Sequence, residues 1–191
     1  HLDCRRQRQM CIRDSPNVTN APSTVGEHES WNTFDEGAEI APNGIYIIAH
    51  GSSDSSILAL ANETHSSLSN GDDGYALAYG TEDNHVIIDR VGDFNGDPGS
   101  GWPVAGVNNG TKDHTLVRKC SIEQGNSDWT ASAGTNAEDS EWIVLDKDDW
   151  SDLGEHTAEC STPGCMDTLA SNYNVVATSD YGSCLYSTFF N

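Results

Sequence analysis

The sequence is poor in basic residues and has no long hydrophobic run. Nine Lys and Arg stand against 30 Asp and Glu among 191 residues, which gives a formal charge of −21. Such a surface repels phosphate backbones and attracts divalent cations, so the composition disfavours nucleic-acid binding. No apolar stretch approaches the roughly 18 residues that a membrane helix needs, and membrane insertion is therefore not expected.

Motifs for hydrolytic or zinc chemistry are also lacking. The sequence contains neither a GxSxG elbow nor an HExxH pair. The run His50-Gly51-Ser52-Ser53-Asp54 has the residue types of a serine hydrolase. Adjacent positions rarely reach the geometry of a catalytic triad, so a strand end followed by a polar turn is the favoured interpretation. The sequence predicts a protein that is not an enzyme and requires no cofactor.

The cysteines are even in number and lack the close pairs of a zinc ribbon. They are Cys4, Cys11, Cys120, Cys160, Cys165 and Cys184. Disulfides formed in an oxidising compartment are the favoured interpretation, which predicts a secreted, extracellular or cell-surface protein. Sequence alone does not fix the pairing, but sequence order suggests Cys165–Cys184 as a local clip, with Cys120 and Cys160 as further disulfide cysteines. Closing a loop of that size contributes about 3 kcal/mol of stability.

The chain from residue 17 to residue 159 reads as one β domain. Short apolar runs alternate there with clusters of Gly, Asn, Asp and Ser, which is typical of antiparallel strands. The pattern predicts strands at residues 44–50, 75–79, 85–91, 115–118 and 141–145, and one helical turn at residues 55–61. We therefore expect an all-β sandwich with one core, followed by a small appendage at residues 160–191.

Residues 1–16 differ in composition from the rest and are expected to be a leader or linker. They hold the arginines 5, 6, 8 and 13, and the string MCIRDS at residues 10–15 resembles translated adapter sequence. A basic linker or a propeptide remnant is the alternative. The chain begins with His1, which is typical of a processed chain or of a fragment of a longer precursor.

The body of the chain, from about residue 31 to residue 157, contains several strings that are long enough to be specific. They are YIIAHGSSDSSIL, ETHSSLSNGDDGYALAYG, VIIDRVGDF, DPGSGWPVAGV, TKDHTLVRK and GNSDWTASAGTNAEDSEWIVL. With these strings the chain resembles the lamin-tail domain of secreted microbial proteins. The resemblance implies an immunoglobulin-like β-sandwich. Family members usually begin with two further strands that are missing here, so the sandwich is expected to expose unpaired backbone. A strand from another chain could fill that gap by β-augmentation.

The appendage resembles a short repeat of large microbial and algal surface proteins. Residues 164–184 follow the pattern GCxDxxAxNYNxxATxDDGSC, from which Tyr181 departs. This resemblance implies a surface location. The apolar residues 185–191 (LYSTFFN) follow, and we predict Tyr186, Phe189 and Phe190 as assembly residues because an exposed aromatic strand needs a cover.

Two weak cation sites are predicted, with calcium as the candidate ion. Asp93, Asn95 and Asp97 place oxygen ligands at the first, third and fifth positions of a calcium loop. Pro98 and Val104 stand where that loop has Gly and Glu, so a Gly-rich turn is the alternative. Asp167 and Asp180 could share a cation in the appendage, although Asx turns are the favoured interpretation there.

Three sequons mark candidate N-glycosylation sites. They are Asn109 (NGT), Asn62 (NET) and Asn17 (NVT), and the first two fall in predicted surface turns.

The five tryptophans could form a sugar-stacking face, but packing in the core and at its rim is favoured.

These features predict a non-catalytic structural subunit of an extracellular fibre or cell-surface assembly, in which the partner is another copy of the chain. The alternative is a surface glycan-binding or protein-binding module of a larger secreted protein. That alternative predicts soluble monomers and an exposed aromatic patch. An accessory domain of a secreted nuclease is a third possibility, and the charge argues against it.

Overall fold

A computed structural model describes residues 14–40, 44–66, 68, 70–155, 164–175, 177 and 184–186. Within these residues the chain is built mostly of strands in antiparallel sheets, with two short helices, which confirms the all-β prediction. The strands are β1 (Asp14–Val18), β2 (Ser30–Thr33), β3 (Ile48–His50), β4 (Glu63–His65), β5 (Gly74–Thr81), β6 (Asn84–Val91), β7 (Thr115–Arg118) and β8 (Trp142–Leu145). The helices are α1 (Ser55–Leu58) and α2 (Trp129–Ala133).

The largest sheet has four strands in the order β2-β1-β5-β6. Strand β1 lies inside it and pairs antiparallel with both neighbours, although it contains Pro16. The register with β5 joins Asp14 to Ala78 and Asn17 to Tyr75 but skips Ser15 and Pro16. A proline has no amide hydrogen to donate, so this gap explains how β1 tolerates it. Because β1 begins at Asp14, the boundary predicted after residue 16 cuts through a strand.

Strands β5 and β6 form a long hairpin, called here the β5–β6 ribbon. Gly80 has a φ of 131°, and a Cβ atom there would meet the carbonyl oxygen of Asn84. Only glycine fits such a position, so the turn of the ribbon depends on it. A bulge between Leu77 and Ala78 shifts the register of the pairing partway along.

Two smaller strand pairs complete the body. Strands β7 and β8 pair antiparallel from Thr115–Leu145 to Arg118–Trp142. Strands β3 and β4 pair in parallel, since α1 carries the chain back between them. Asp54 caps α1 by accepting a hydrogen bond from the Ser56 amide at 2.8 Å, and the Ser52 amide bonds the His50 ring. A strand end followed by a polar turn is therefore what the structure has at residues 50–54.

Two hydrophobic clusters lie on opposite faces of the large sheet, where one core was predicted. One contains Val18, Ala76 and Phe94, with Ile87 packed against it. The other contains Val104, Trp129, Ala133 and Trp142, with Val91, Leu116 and Val144 packed against it. The register places Ala76 and Ile87 on one face and Val91 on the other, so the sheet separates the two clusters.

Most of the predicted strands occur, and four elements were not predicted. Strand β7 has the predicted bounds, β8 starts one residue later, and β5 and β6 extend slightly beyond theirs. Only Ile48–His50 of residues 44–50 is a strand, and the helical turn ends at Leu58. The unpredicted elements are β1, β2, β4 and α2. All four are short, and β1 also contains a proline.

The appendage contains the predicted disulfide clip. Cys165 and Cys184 are bonded, with a Cα–Cα distance of 4.7 Å. The Ser171 amide donates to the Leu185 carbonyl at 2.8 Å, which fixes the chain next to the clip. Cys120 is also disulfide-bonded, whereas Cys160 lies outside the described residues.

Candidate functional site

The β5–β6 ribbon presents Leu77 and Tyr79 on the face toward β7, β8 and α2. Tyr79 pairs with Val86 and Leu77 with Asp89, and directly paired residues of antiparallel strands share a face. The two ends of this face have different environments. One end, at Asp89–Val91, is covered, and the other, at Tyr79 and Val86, is exposed. We call these the closed end and the open end of the ribbon.

A half-buried ion network covers the closed end. The Arg118 guanidinium contacts Asp89 Oδ1 at 2.6 Å and Glu141 Oε2 at 2.7 Å, and it lies 4.0 Å from the centre of the Trp142 ring. Asn126 donates its amide hydrogen to Asp89 at 2.9 Å and its side chain to Glu141 at 2.8 Å. The three charged side chains are only 15–26% exposed. Charge-assisted bonds of this kind are stronger than neutral ones, so the network ties β6 firmly to β7 and β8.

Aromatic packing reinforces the closed end behind this network. The rings of Trp129 and Trp142 lie 6.4 Å apart, and the Trp142 indole donates to Ser132 Oγ at 2.8 Å. Ser132 is completely buried, so this hydrogen bond satisfies both polar groups in the absence of water.

An apolar groove of about 780 Å³ extends from the ion network toward the open end. We call it the ribbon groove. Tyr79, which lines the groove, is 52% exposed, and its cross-strand partner Val86 is 63% exposed. The groove is lined by Leu77, Tyr79, Ile88, Asp89, Arg118, Ile122, Glu123, Gln124, Gly125 and Trp142. Large apolar side chains left in water on one connected surface are typical of an interaction site.

The outer edge of β6 is covered over one part only. The Arg90 amide donates to the Asn126 carbonyl at 3.2 Å. Gly125 lies so close to β6 that a Cβ atom there would be 2.5 Å from the Ile88 carbonyl oxygen. Among the described residues no strand pairs with this edge, so the backbone of residues 84–87 is open for pairing.

The charge of the ribbon groove favours a neutral ligand. Arg118 is the one cation among the described residues that line it, and Arg118 is already bonded to two carboxylates. Glu123 adds another negative charge. An anionic ligand would meet net negative charge there. The geometry can hold an apolar or aromatic side chain together with a short extended backbone.

A second polar cluster joins β4 to the segment after β2. Glu63 accepts hydrogen bonds from the Tyr46 hydroxyl at 2.6 Å and from the Asp35 amide at 3.2 Å, and His65 Nε2 lies 2.7 Å from its other oxygen. The bond to Glu63 raises the pKa of Tyr46 to about 12. Burial opposes ionisation of Glu63, but its hydrogen-bond donors outweigh burial and lower the pKa of Glu63. The cluster is satisfied internally, as in a structural link.

Two histidines that are distant in sequence meet beside a tryptophan. The Trp31 ring centre lies 5.2 Å from that of His28 and 4.8 Å from that of His85. His28 Nε2 is 3.6 Å from Glu82 Oε1. In the part of the chain that the structure describes, no three His, Cys, Asp or Glu side chains are placed to share a metal ion.

The predicted calcium ligands form turns in the structure. Asp93 Oδ1 accepts hydrogen bonds from the amides of Phe94 at 2.7 Å and Asn95 at 3.2 Å. Asp97 Oδ1 accepts one from the Gly99 amide at 2.6 Å. Asp167 accepts bonds from the Leu169 amide and the Tyr186 hydroxyl, and the latter lowers the pKa of Asp167. Asp180 lies outside the described residues, and calcium binding stays a prediction.

The three sequons differ in accessibility. Asn62 and Asn109 are exposed, and Asn109 has the left-handed φ of 56° expected of a turn. Asn17 is completely buried in β1, where its Oδ1 accepts a hydrogen bond from Asn32 at 2.9 Å. A glycan on Asn17 is not compatible with this placement, and we no longer expect one there.

The predicted assembly residues are only partly described. Tyr186 is exposed, while Phe189 and Phe190 lie outside the described residues. The residues of the ribbon groove were not predicted as a site. Leu77, Tyr79 and Arg118 do lie in predicted strands. No pattern in the sequence, however, shows that the segments packed over the ribbon leave Tyr79 exposed.

None of the protein-family profiles, curated proteins or solved structures compared with the chain matches it. No helix in the described ranges has the length and apolar character needed to span a membrane. The Cys165–Cys184 disulfide is compatible with an extracellular location.

Proposed function

We propose that the protein is a non-catalytic structural subunit of an extracellular fibre or cell-surface assembly, in which copies join by strand addition. The observation that carries this proposal is the open end of the ribbon. There the edge at residues 84–87, with which no strand of the described part of the chain pairs, adjoins the apolar ribbon groove. Natural proteins usually protect such an edge, so an edge beside a groove favours a partner strand.

The finer fold assignment belongs to the same proposal. The body is an immunoglobulin-like sandwich of lamin-tail type, in which the large sheet faces the β7–β8 pair across the Trp129 cluster. The sequence resemblance and the packing of two sheets through alternate inward side chains support this assignment. The exposed Asn62 and Asn109 carry N-glycans in a secreted chain, and calcium is a candidate ligand of the acidic surface.

The strength of one junction follows from its size. Burying one phenylalanine side chain contributes roughly 1.5–3 kcal/mol. Association costs about 4–15 kcal/mol in lost freedom of motion, so one such contact is weak by itself. A contact between a donor segment and a different acceptor surface is heterologous, and its repetition produces a linear array wherever the rotation between copies does not close a ring.

Charge makes assembly depend on salt. Each copy carries a formal charge of −21, so copies repel at low ionic strength. At about 0.1 M salt the screening length is roughly 10 Å, which removes most of the long-range repulsion. We therefore expect assembly to increase with salt or with divalent cations.

Sedimentation velocity and negative-stain electron microscopy of the purified chain test the proposal. We expect monomers at low salt and growing linear oligomers as salt is raised. Dispersed monomers at every salt and protein concentration would overturn it.

A polar pocket favours a second candidate, a glycan-binding module. This pocket of about 470 Å³ is lined by Leu68, Asn70, Gly71, Asp73, Tyr75, Val91, Thr111 and Asp113. Amide, hydroxyl and carboxylate groups next to an aromatic ring are suited to binding sugar hydroxyls. Saturable binding of a polysaccharide to chains that stay monomeric would favour this function over assembly.

A further inference from the structure

We infer that the ribbon groove is the acceptor for residues 185–191 of a second copy of the chain, with one of the two phenylalanines seated beside Tyr79. This inference rests on the proposed function and identifies which segment of one copy binds the next copy. The evidence for it is that one ribbon has both an apolar groove and a strand edge with which no described strand pairs.

The chemistry of residues 185–191 matches that of the groove. The segment LYSTFFN contains no charged side chain, whereas the whole chain has 30 acidic and 9 basic residues. The groove repels anions because Asp89 and Glu141 already bond Arg118 and Glu123 adds a further negative charge. The side chains of such a segment meet no charge repulsion at the groove.

The periodicity of an extended segment fits the geometry of the open end. Successive side chains of a strand point to opposite faces. A segment paired with the open edge at residues 84–87 would direct either Phe189 or Phe190 into the groove and the other away from it. Whichever faces inward would meet Tyr79 and Ile88 and complete an aromatic cluster with Trp142.

The appendage holds the first two residues of this segment, which is called here the arm. Leu185 is held by the Ser171 amide and by the Asn172 side chain, and the Tyr186 hydroxyl donates to Asp167. The disulfide at Cys184 fixes the base of the arm. The start of the segment is therefore fixed on the appendage.

The test uses the full chain carrying Phe189→Ser and Phe190→Ser as receptor, so that its own arm does not compete. The probe is a dye-labelled peptide of sequence LYSTFFN, followed by fluorescence polarisation. We expect saturable binding that weakens at least tenfold when Tyr79→Ser is added to the receptor. The control Val25→Ser, at an exposed valine away from the groove, should leave binding unchanged. Absence of saturable binding, or binding that Tyr79→Ser does not weaken, would overturn the inference.

Sedimentation of the unmodified chain separates this inference from the proposed function. If the chain assembles and the Phe189→Ser, Phe190→Ser chain assembles equally well, the groove is not the acceptor but assembly stands. If the peptide binds while the unmodified chain stays monomeric, the arm fills the groove of its own chain, and both the second copy and the structural function are ruled out.

Discussion

The two ends of the β5–β6 ribbon differ in what covers them. At the closed end, Arg118 bonds Asp89 and Glu141 and stacks on Trp142, and the Trp129 cluster packs behind them. At the open end, Tyr79 and Val86 face solvent beside a strand edge that no strand among the described residues pairs with. One strand pair thus provides stability at one end and a contact surface at the other. Substitutions should therefore separate the two properties.

Removing the aromatic core of the closed end should have the largest effect. Trp129→Ala leaves a cavity next to Trp142, and we expect the free energy of unfolding to fall by about 3–5 kcal/mol. Urea denaturation measures this loss. Trp150→Ala is the matched control, since Trp150 is 38% exposed and should change stability by about 0.5 kcal/mol or less. Equal losses for the two tryptophans would contradict the assignment of the core.

Breaking the ion network should cost less. Arg118→Leu leaves Asp89 and Glu141 without their cation, and we expect a loss of about 2 kcal/mol in the free energy of unfolding. Lys147→Leu breaks an exposed ion pair with Asp113 and serves as control, with no measurable loss expected. If both variants unfold at the wild-type urea concentration, the network does not stabilise the closed end.

A polar link outside the ribbon should have a smaller effect that depends on pH. Because the pKa of Tyr46 is raised from 10.0 to about 12, its hydroxyl stabilises the fold below pH 10, and this contribution is lost between pH 10 and 12. Tyr46→Phe should lower the free energy of unfolding by roughly 1 kcal/mol at pH 8. Denaturation of both proteins across this range should show the difference shrinking toward pH 12. A difference that stays constant with pH would show that Tyr46 and Glu63 are not linked.

A substitution at the open end should hardly change stability. Tyr79 is half exposed, so Tyr79→Ser should shift the free energy of unfolding by about 0.5 kcal/mol or less. Thermal unfolding followed by circular dichroism measures this shift. A loss as large as that of Trp129→Ala would mean that Tyr79 belongs to the core and is not a contact residue.

The sequence indicates the ribbon well and the groove hardly at all. The apolar runs YALAY and HVIIDRV predict β5 and β6 because β-branched and aromatic residues dominate them. Strand β1 was missed because Pro16 is unfavourable inside a sheet and the skipped pairing that accommodates it has no local signal. Glu63 and His65 resemble exposed residues in sequence, and only the fold brings Tyr46 to them. The groove forms because the segments that pack on the closed end of the ribbon do not reach Tyr79. That arrangement depends on packing between segments that are distant in sequence.

The most direct test of the contrast between the two ends is sedimentation velocity on three folded chains at physiological salt: wild type, Tyr79→Ser and Val25→Ser. We predict oligomers for wild type and Val25→Ser and monomers for Tyr79→Ser. The same sedimentation profile for all three chains would contradict a contact surface at the open end of the ribbon.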